Sequence, residues 1–383
     1  MGFMYCQPKQ NMFGAGCIKE LPAALSNQPA RTPLIVTEAA LVRLGLLDSL
    51  LAALGESGFT PVVFDQVIPN PTDKTVDLAV AAYRDHQCDM LIGFGGGSSI
   101  DTAKAVRAMI ANPGQPVSAF EGIGKIRHIG PYLAAVSTTS GTAAEVTSNA
   151  VIIDTSRCVK MVLIDSAIIP EIAVNDPELV MGLPADVTAA TGMDALTHAV
   201  EAYVSAAAHP LTDPMALESI RLISRWLPTA VADGKNTQAR EAMAHAQYLA
   251  GMAFNSAGLG YVHSLAHQPG ATHNLPHGVC NAILLPIVCE FSRPVRTDRF
   301  AKIAEAMGNS IAGRYDEDAS RLAIQSIRSL SRTVGIPEGL GVFGITEADI
   351  PQWIEPAQND PCTGCAPRKA SDDELADLYR QAI

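Results

Sequence analysis

Asp89-Met90-Leu91-Ile92-Gly93-Phe94, running straight into Gly95-Gly96-Gly97-Ser98 and a helix-like segment to Ala111, decides how the first half of the chain folds. A short continuous apolar run reads as a strand covered on both faces, and a helix directly after it is the repeating unit of a parallel sheet. The same order extends to both sides. A strand at 33–37 precedes a helix at 41–54, a strand at 60–64 precedes a helix at 72–86, and apolar strands follow at 132–137 and 151–154. The pattern predicts a mostly parallel, doubly covered α/β sheet.

The turn inside that opening stretch carries chemistry. Glycines 95–97 let the backbone come close to a ligand, and the helix start that follows, with Ser98, Ser99 and Asp101 in its first turn, offers free N–H groups and a positive dipole end. That is an anion site suited to a pyrophosphate, although the standard G-x-G-x-x-G fingerprint is absent. A second hydroxyl-rich run, Ser137-Thr138-Thr139-Ser140-Gly141-Thr142, also follows a strand and suits hydrogen bonds to phosphate, ribose or nicotinamide amide. The same residues with Glu145 read equally as a capping box. Glu38, just past the first strand, is placed to hold a ribose diol, and its charge repels a 2′-phosphate, which favours NAD over NADP.

After Gly182-Leu183-Pro184 the pattern changes to successive amphipathic helices, at 185–205, 214–232, 237–257, 260–270, 295–307, 318–334, 346–360 and 371–382. The expected domains are therefore 1–182, α/β, and 183–383, all-helical. Within the second half, Asp194 and His198 stand four apart, which places both on one helix face. His263 and His267 repeat that spacing, and His277 follows in Asn-Leu-Pro-His-Gly. One carboxylate and three imidazoles make a full ligand set for a divalent ion of the iron or zinc type, whereas unrelated surface and core histidines are the bland alternative.

Composition sets the outer limits. A chain of 383 residues exceeds one ordinary core, and with 48% apolar and 17% charged residues it can bury a large interior. A formal net charge of −12 argues against nucleic acid or an anionic membrane as partner. The start Met-Gly-Phe-Met-Tyr-Cys reads as neither a signal peptide nor a myristoylation site, and no run approaches the ~18 apolar residues of a membrane span. A soluble, cytoplasmic protein is expected. Eight scattered cysteines are too sparse for a disulfide scaffold, and Cys362-Thr-Gly-Cys365 is a lone pair without a second to complete a zinc site.

Taken in order, Gly95-Gly-Gly-Ser98, Thr138-Thr-x-Gly-Thr142, Gly192-Met-Asp-Ala-Leu-Thr-His198, His263-Ser-Leu-Ala-His267 and Pro276-His277-Gly278 closely resemble the iron-containing, or group III, alcohol dehydrogenases. The likeness runs from Asn11 to the C-terminus. It implies an N-terminal Rossmann-like parallel-sheet domain, a C-terminal helical metal-binding domain in a dehydroquinate synthase-like architecture, and an active site in the cleft between them. It further implies Asp194, His198, His263 and His277 as metal ligands, and Gly96, Gly97, Ser98, Thr138, Thr139, Thr142 and Lys160 as cofactor contacts. Fe(2+) is the metal the resemblance favours; Zn(2+) or another divalent ion suits the same donors.

The expected reaction is the interconversion of a primary alcohol and its aldehyde with NAD(H), with a small-molecule substrate and a homodimer or larger homo-oligomer. His267, one turn beyond His263, is the expected proton relay. A zinc-dependent polyol dehydrogenase of the glycerol type is the nearest alternative. A metal-requiring lyase like the dehydroquinate synthases and a non-catalytic scaffold are the more distant ones.

Overall fold

Strands β1 (Gln10–Phe13), β2 (Pro33–Val36), β3 (Val62–Phe64), β4 (Met90–Gly95), β6 (Tyr132–Ser137) and β9 (Ile172–Asn175) form one sheet in the order β1-β9-β6-β4-β2-β3, every neighbouring pair parallel. These coordinates are a computed structural model that describes residues 4–157 and 159–383, so the Met-Gly-Phe start and Cys158 lie outside the described residues.

The register explains the unbroken apolar runs. Leu34, Leu91 and Leu133 are aligned across three strands and belong to the core on one face. Ile35 and Ile92 sit one residue along, beside Ala134, in the core on the other face. Helices cover both faces, so consecutive residues are all buried, each large one contributing about 1.5–3 kcal/mol. The helices of this unit are α1 (Leu21–Leu25), α2 (Ala39–Arg43), α3 (Asp48–Glu56), α4 (Asp73–Asp85) and α5 (Gly97–Ala111).

Two expectations for this unit are corrected. The strand read at 151–154 is not in the main sheet. It is β7 (Asn149–Asp154), antiparallel to β8 (Val159–Ile164) in a second sheet whose third strand is β5 (Gly122–Ile123). Its burial alternates residue by residue, the signature of a strand packed on one face only. The helix read at 41–54 divides into α2 and α3, because the backbone turns left-handed at Gly45, φ 69°. Strands β1 and β9 were not foreseen.

The second compact unit holds Met4, Tyr5, Ser140–Thr142 and Met181–Ile383, and the first holds Cys6–Thr139 and Ala143–Val180. The helical unit comprises α6 (Ala185–Val204), α7 (Asp213–Ala232), α8 (Thr237–Ala257), α9 (Tyr261–His273), α10 (His277–Ser292), α11 (Thr297–Ala306), α12 (Asp316–Thr333), α13 (Pro351–Asn359) and α14 (Asp372–Ala382). The segment read as one helix at 346–360 is a short 3-10 turn followed by α13, which starts at Pro351. Helix α10 is absent from the sequence reading. Together with the turn that continues it to Val295, it is long and apolar enough, with a mean hydropathy of 1.3 over an 18-residue window, to pass as a membrane span, yet 67% of that window is buried in the protein. It is a core helix, wrapped by its neighbours. No disulfide joins the described cysteines.

Candidate metal centre and cofactor cradle

Helix α6 carries Asp194, His198 and Glu201 at i, i+4 and i+7, all buried on one face. Helix α9 supplies His263 and His267 one turn apart, and α10 opens on His277. What lets α10 approach α6 is Gly278: a Cβ there would lie 2.4 Å from the Ala190 carbonyl oxygen and 3.4 Å from Asp194 Cβ. Ligand atoms of Asp194, His263 and His277 consequently all fall within 4.8 Å of one another. Asp194 Oδ1 is 3.9 Å from His263 Nε2 and 3.7 Å from His277 Nε2. His198 is not part of that trio of atoms. Its ring stacks on His263 at 4.6 Å and on Phe254 at 4.4 Å, directly beside it.

Two carboxylates aim the histidines of α9. His263 Nδ1 donates to Glu201 Oε2 at 2.6 Å, and His267 Nδ1 donates to Asp360 Oδ2 at 2.7 Å. A carboxylate only accepts, so in each ring Nδ1 carries a proton, and in the neutral imidazole Nε2 keeps its lone pair. Glu201 is itself fixed by the Val262 N–H at 2.8 Å. The His267 ring stacks on His277 at a centroid distance of 5.3 Å, which brings a proton-carrying group to the edge of the trio.

The electrostatics follow from burial and charge. Burial pulls His198 down to about 4, against the opposing pull of Asp194 and the Gly141 backbone. Burial would lower His263 too, but Glu201, with Asp194 and Asp360, outweighs it and leaves the group raised. Burial would raise the Asp360 carboxyl, whereas the His267 charge, its hydrogen bond and the Cys362 N–H hold it at about 2. A buried carboxylate facing imidazole nitrogens whose partners leave Nε2 open is donor chemistry that fits a divalent cation.

In the α/β unit, Gly95 has φ 148° and a Cβ there would lie 2.5 Å from Ser99 Oγ, so only glycine fits between β4 and α5. Gly96 caps α5, Gly97 opens it and Ser98 follows in its first turn. The Thr138 N–H donates to the Gly95 carbonyl, which binds the two turns together. The Ser99 and Thr139 hydroxyls are buried with no hydrogen-bond partner among the described residues. Thr139 Oγ1 lies 3.5 Å from where a Gly96 Cβ would be. Unpartnered hydroxyls at a backbone cradle and a helix start suit an incoming anion.

Other expected cofactor residues are more dispersed. Glu38 caps α2 at the end of β2, and burial raises its carboxyl. Lys160 stands on β8 in the second sheet. Thr142 groups with the helical unit, whereas Thr138 and Thr139 group with the α/β unit. Asp101 is employed internally: its Oδ2 accepts from the Val151 N–H at 2.9 Å. Burial raises that carboxyl to about 6 despite Lys104, whose own ammonium burial lowers to about 8.

Sequence reasoning missed Glu201, Asn281, Asp360 and Lys104. Helical spacing could have found two of them, because Glu201 is seven after Asp194 and Asn281 four after His277. Nothing in the sequence ties Asp360 to His267, 93 residues away.

One unit thus has an anion cradle beside a parallel sheet, the other a carboxylate–imidazole knot among helices. Known proteins combine both features in the same order. The iron-containing alcohol dehydrogenase family matches residues 8–177, and the C-terminal part of the Fe-containing alcohol dehydrogenase family matches residues 188–383. The chain belongs to the iron-containing alcohol dehydrogenase family.

Among its relatives, the 1,3-propanediol dehydrogenase of Klebsiella pneumoniae is 44% identical over 383 residues, covering 100% of this chain and 99% of that protein. The NAD-dependent methanol dehydrogenase of Bacillus methanolicus is 41% identical over 376 residues, 98% of each. A crystal structure of a 1,3-propanediol oxidoreductase superposes with a TM-score of 0.98 at 43% identity, covering 100% of both chains. The alcohol dehydrogenase of Oenococcus oeni gives 0.97 at 37%, again with 100% of both chains covered.

Proposed function

We propose that the chain interconverts a primary alcohol and its aldehyde by hydride transfer to or from NAD(H), with a divalent cation, Fe(2+) first among the candidates, held by Asp194, His198, His263 and His277. The observation that carries the reading is the convergence of Asp194, His263 and His277 within 4.8 Å. A bound cation supplies Lewis-acid polarisation of the substrate oxygen, and bound NAD the two-electron acceptor.

The chain's own residues do the rest. Asp194 offsets part of the cation's charge, and neutral imidazoles leave the remainder available. Glu201 holds His263 in the tautomer that presents Nε2. His267, its Nδ1 proton tied to Asp360, has Nε2 open to accept the hydroxyl proton of an alcohol and to return it to an aldehyde oxygen. The glycine turn at 95–97, with Ser98, Thr138, Thr139, Thr142 and Lys160, would hold the dinucleotide, and the Glu38 carboxylate selects NAD by repelling a 2′-phosphate. Asp101, whose Oδ2 accepts from the Val151 N–H, belongs to the same cradle at the start of α5. A homodimer or larger assembly and a cytoplasmic location are further parts of this reading.

The relatives named above are dehydrogenases or oxidoreductases of small alcohols, which favours this reaction over a lyase. The test is an NAD(H)-coupled panel of 1-alkanols, 1,2- and 1,3-diols and their aldehydes. Stoichiometric NADH from an alcohol supports the reading. Glycerol as the only substrate turned over would move it to a polyol dehydrogenase, and no NADH from any alcohol would sink it.

A further inference from the structure

Asn281 lies on α10 one turn after His277 and is fully buried. Its side-chain amide nitrogen is 2.6 Å from Asp194 Oδ1, 3.1 Å from His263 Nε2 and 3.0 Å from His277 Nε2. One buried side chain therefore touches a donor atom from each of α6, α9 and α10. Its carbonyl oxygen Oδ1 is buried with no partner among the described residues. A buried amide with one end unsatisfied destabilises the fold, a penalty that an apolar side chain of similar size would avoid. Such a local cost is expected where a site needs the residue.

We propose that Asn281 is the positioning residue that gathers Asp194, His263 and His277 into one metal site and sets how tightly that site holds its cation. The inference rests on the reading of those three residues as ligands. Lone-pair counting gives Asn281 two successive tasks. A neutral Nε2 has a single lone pair, so it serves either the Asn281 amide or a cation. A carboxylate oxygen has more than one, so Asp194 serves both at once. Two amide protons shared among three acceptors hold the donor atoms together beforehand. On cation binding the amide yields the two imidazoles and keeps Asp194, its shortest contact. The alternative, three ligands ordered only by their own helices, leaves the contacts of Asn281 to all three without a purpose.

The test is cation titration of chelator-treated protein with Co(2+) and with Zn(2+), against a competing chromophoric chelator. Wild type, Asn281→Leu, Asn281→Ser and Asp194→Ala are compared, with circular dichroism as the check on folding. Leu keeps the volume and removes both polar ends, and Ser serves should Leu fail to pack. The expected result is one cation per chain in wild type, binding about 10–100-fold weaker in the Asn281 variants, and an altered Co(2+) visible spectrum in them. Folded Asn281 variants with wild-type affinity and an unchanged Co(2+) spectrum overturn the role of Asn281 alone. A wild type that takes up no cation, or an Asp194→Ala protein that binds like wild type, overturns the metal centre and the inference with it.

Discussion

His267 and Asp360 are where residue chemistry can be separated from packing. With Nδ1 bound to Asp360 and its ring stacked on His277, His267 has Nε2 for proton traffic. His267→Ala is expected to lower turnover by about 10²–10⁴-fold while bound metal stays near one per chain. Wild-type turnover in that variant would end the relay. Asp360 makes a second prediction through pH. Its folded-state carboxyl is held at about 2, below the ordinary value near ~3.9, so the charged form is favoured by folding. That contribution, about 2 kcal/mol, is fully present above the unfolded value and is lost as pH falls through the folded one. Asp360→Asn should therefore be less stable than wild type by about that amount at neutral pH, the gap closing between about pH 4 and 2. Urea unfolding of metal-free protein across pH measures it, and a gap independent of pH would contradict the assignment.

At the scale of elements, the site depends on how closely α10 can lie on α6. Gly278 opens that approach, since a Cβ would press on the Ala190 backbone, which cannot give way as a flexible side chain can. Gly278→Ala should cost about 1–3 kcal/mol in denaturant unfolding and weaken cation binding, because the helices carrying His277 and Asp194 are pushed apart. Wild-type stability and affinity in this variant would show that the contact relaxes freely.

Elements also show what the sequence can disclose. The runs at β2, β4 and β6 were readable because burial on both faces leaves no polar interruption. Strand β1, Gln-Asn-Met-Phe with three of four residues exposed at the sheet edge, gives no such signal. Helix α10 was hidden for the opposite reason: it is buried nearly all round and contains Pro286, so it shows neither an amphipathic stripe nor an unbroken helical run.

For the molecule as a whole, the two kinds of chemistry were legible to different degrees. Histidine spacing on α6 and α9, with the motif order, pointed to the four proposed ligands, and three of the four have donor atoms gathered in one place. The carboxylates and the amide that orient them were not readable as a set, because Glu201, Asn281 and Asp360 are brought together only by the packing of separate helices. The glycine turn was legible from its position between a strand and a helix. The internal duty of Asp101 was not, since its partner Val151 lies 50 residues on in the second sheet.

The most direct measurement is NADH formation from a primary alcohol by chelator-treated protein, before and after adding back one divalent metal at a time, with metal content determined in the same samples. The account predicts no turnover without metal, recovery that follows occupancy up to one cation per chain, and loss of both binding and recovery in Asp194→Ala. Full turnover by protein shown to be metal-free would contradict it.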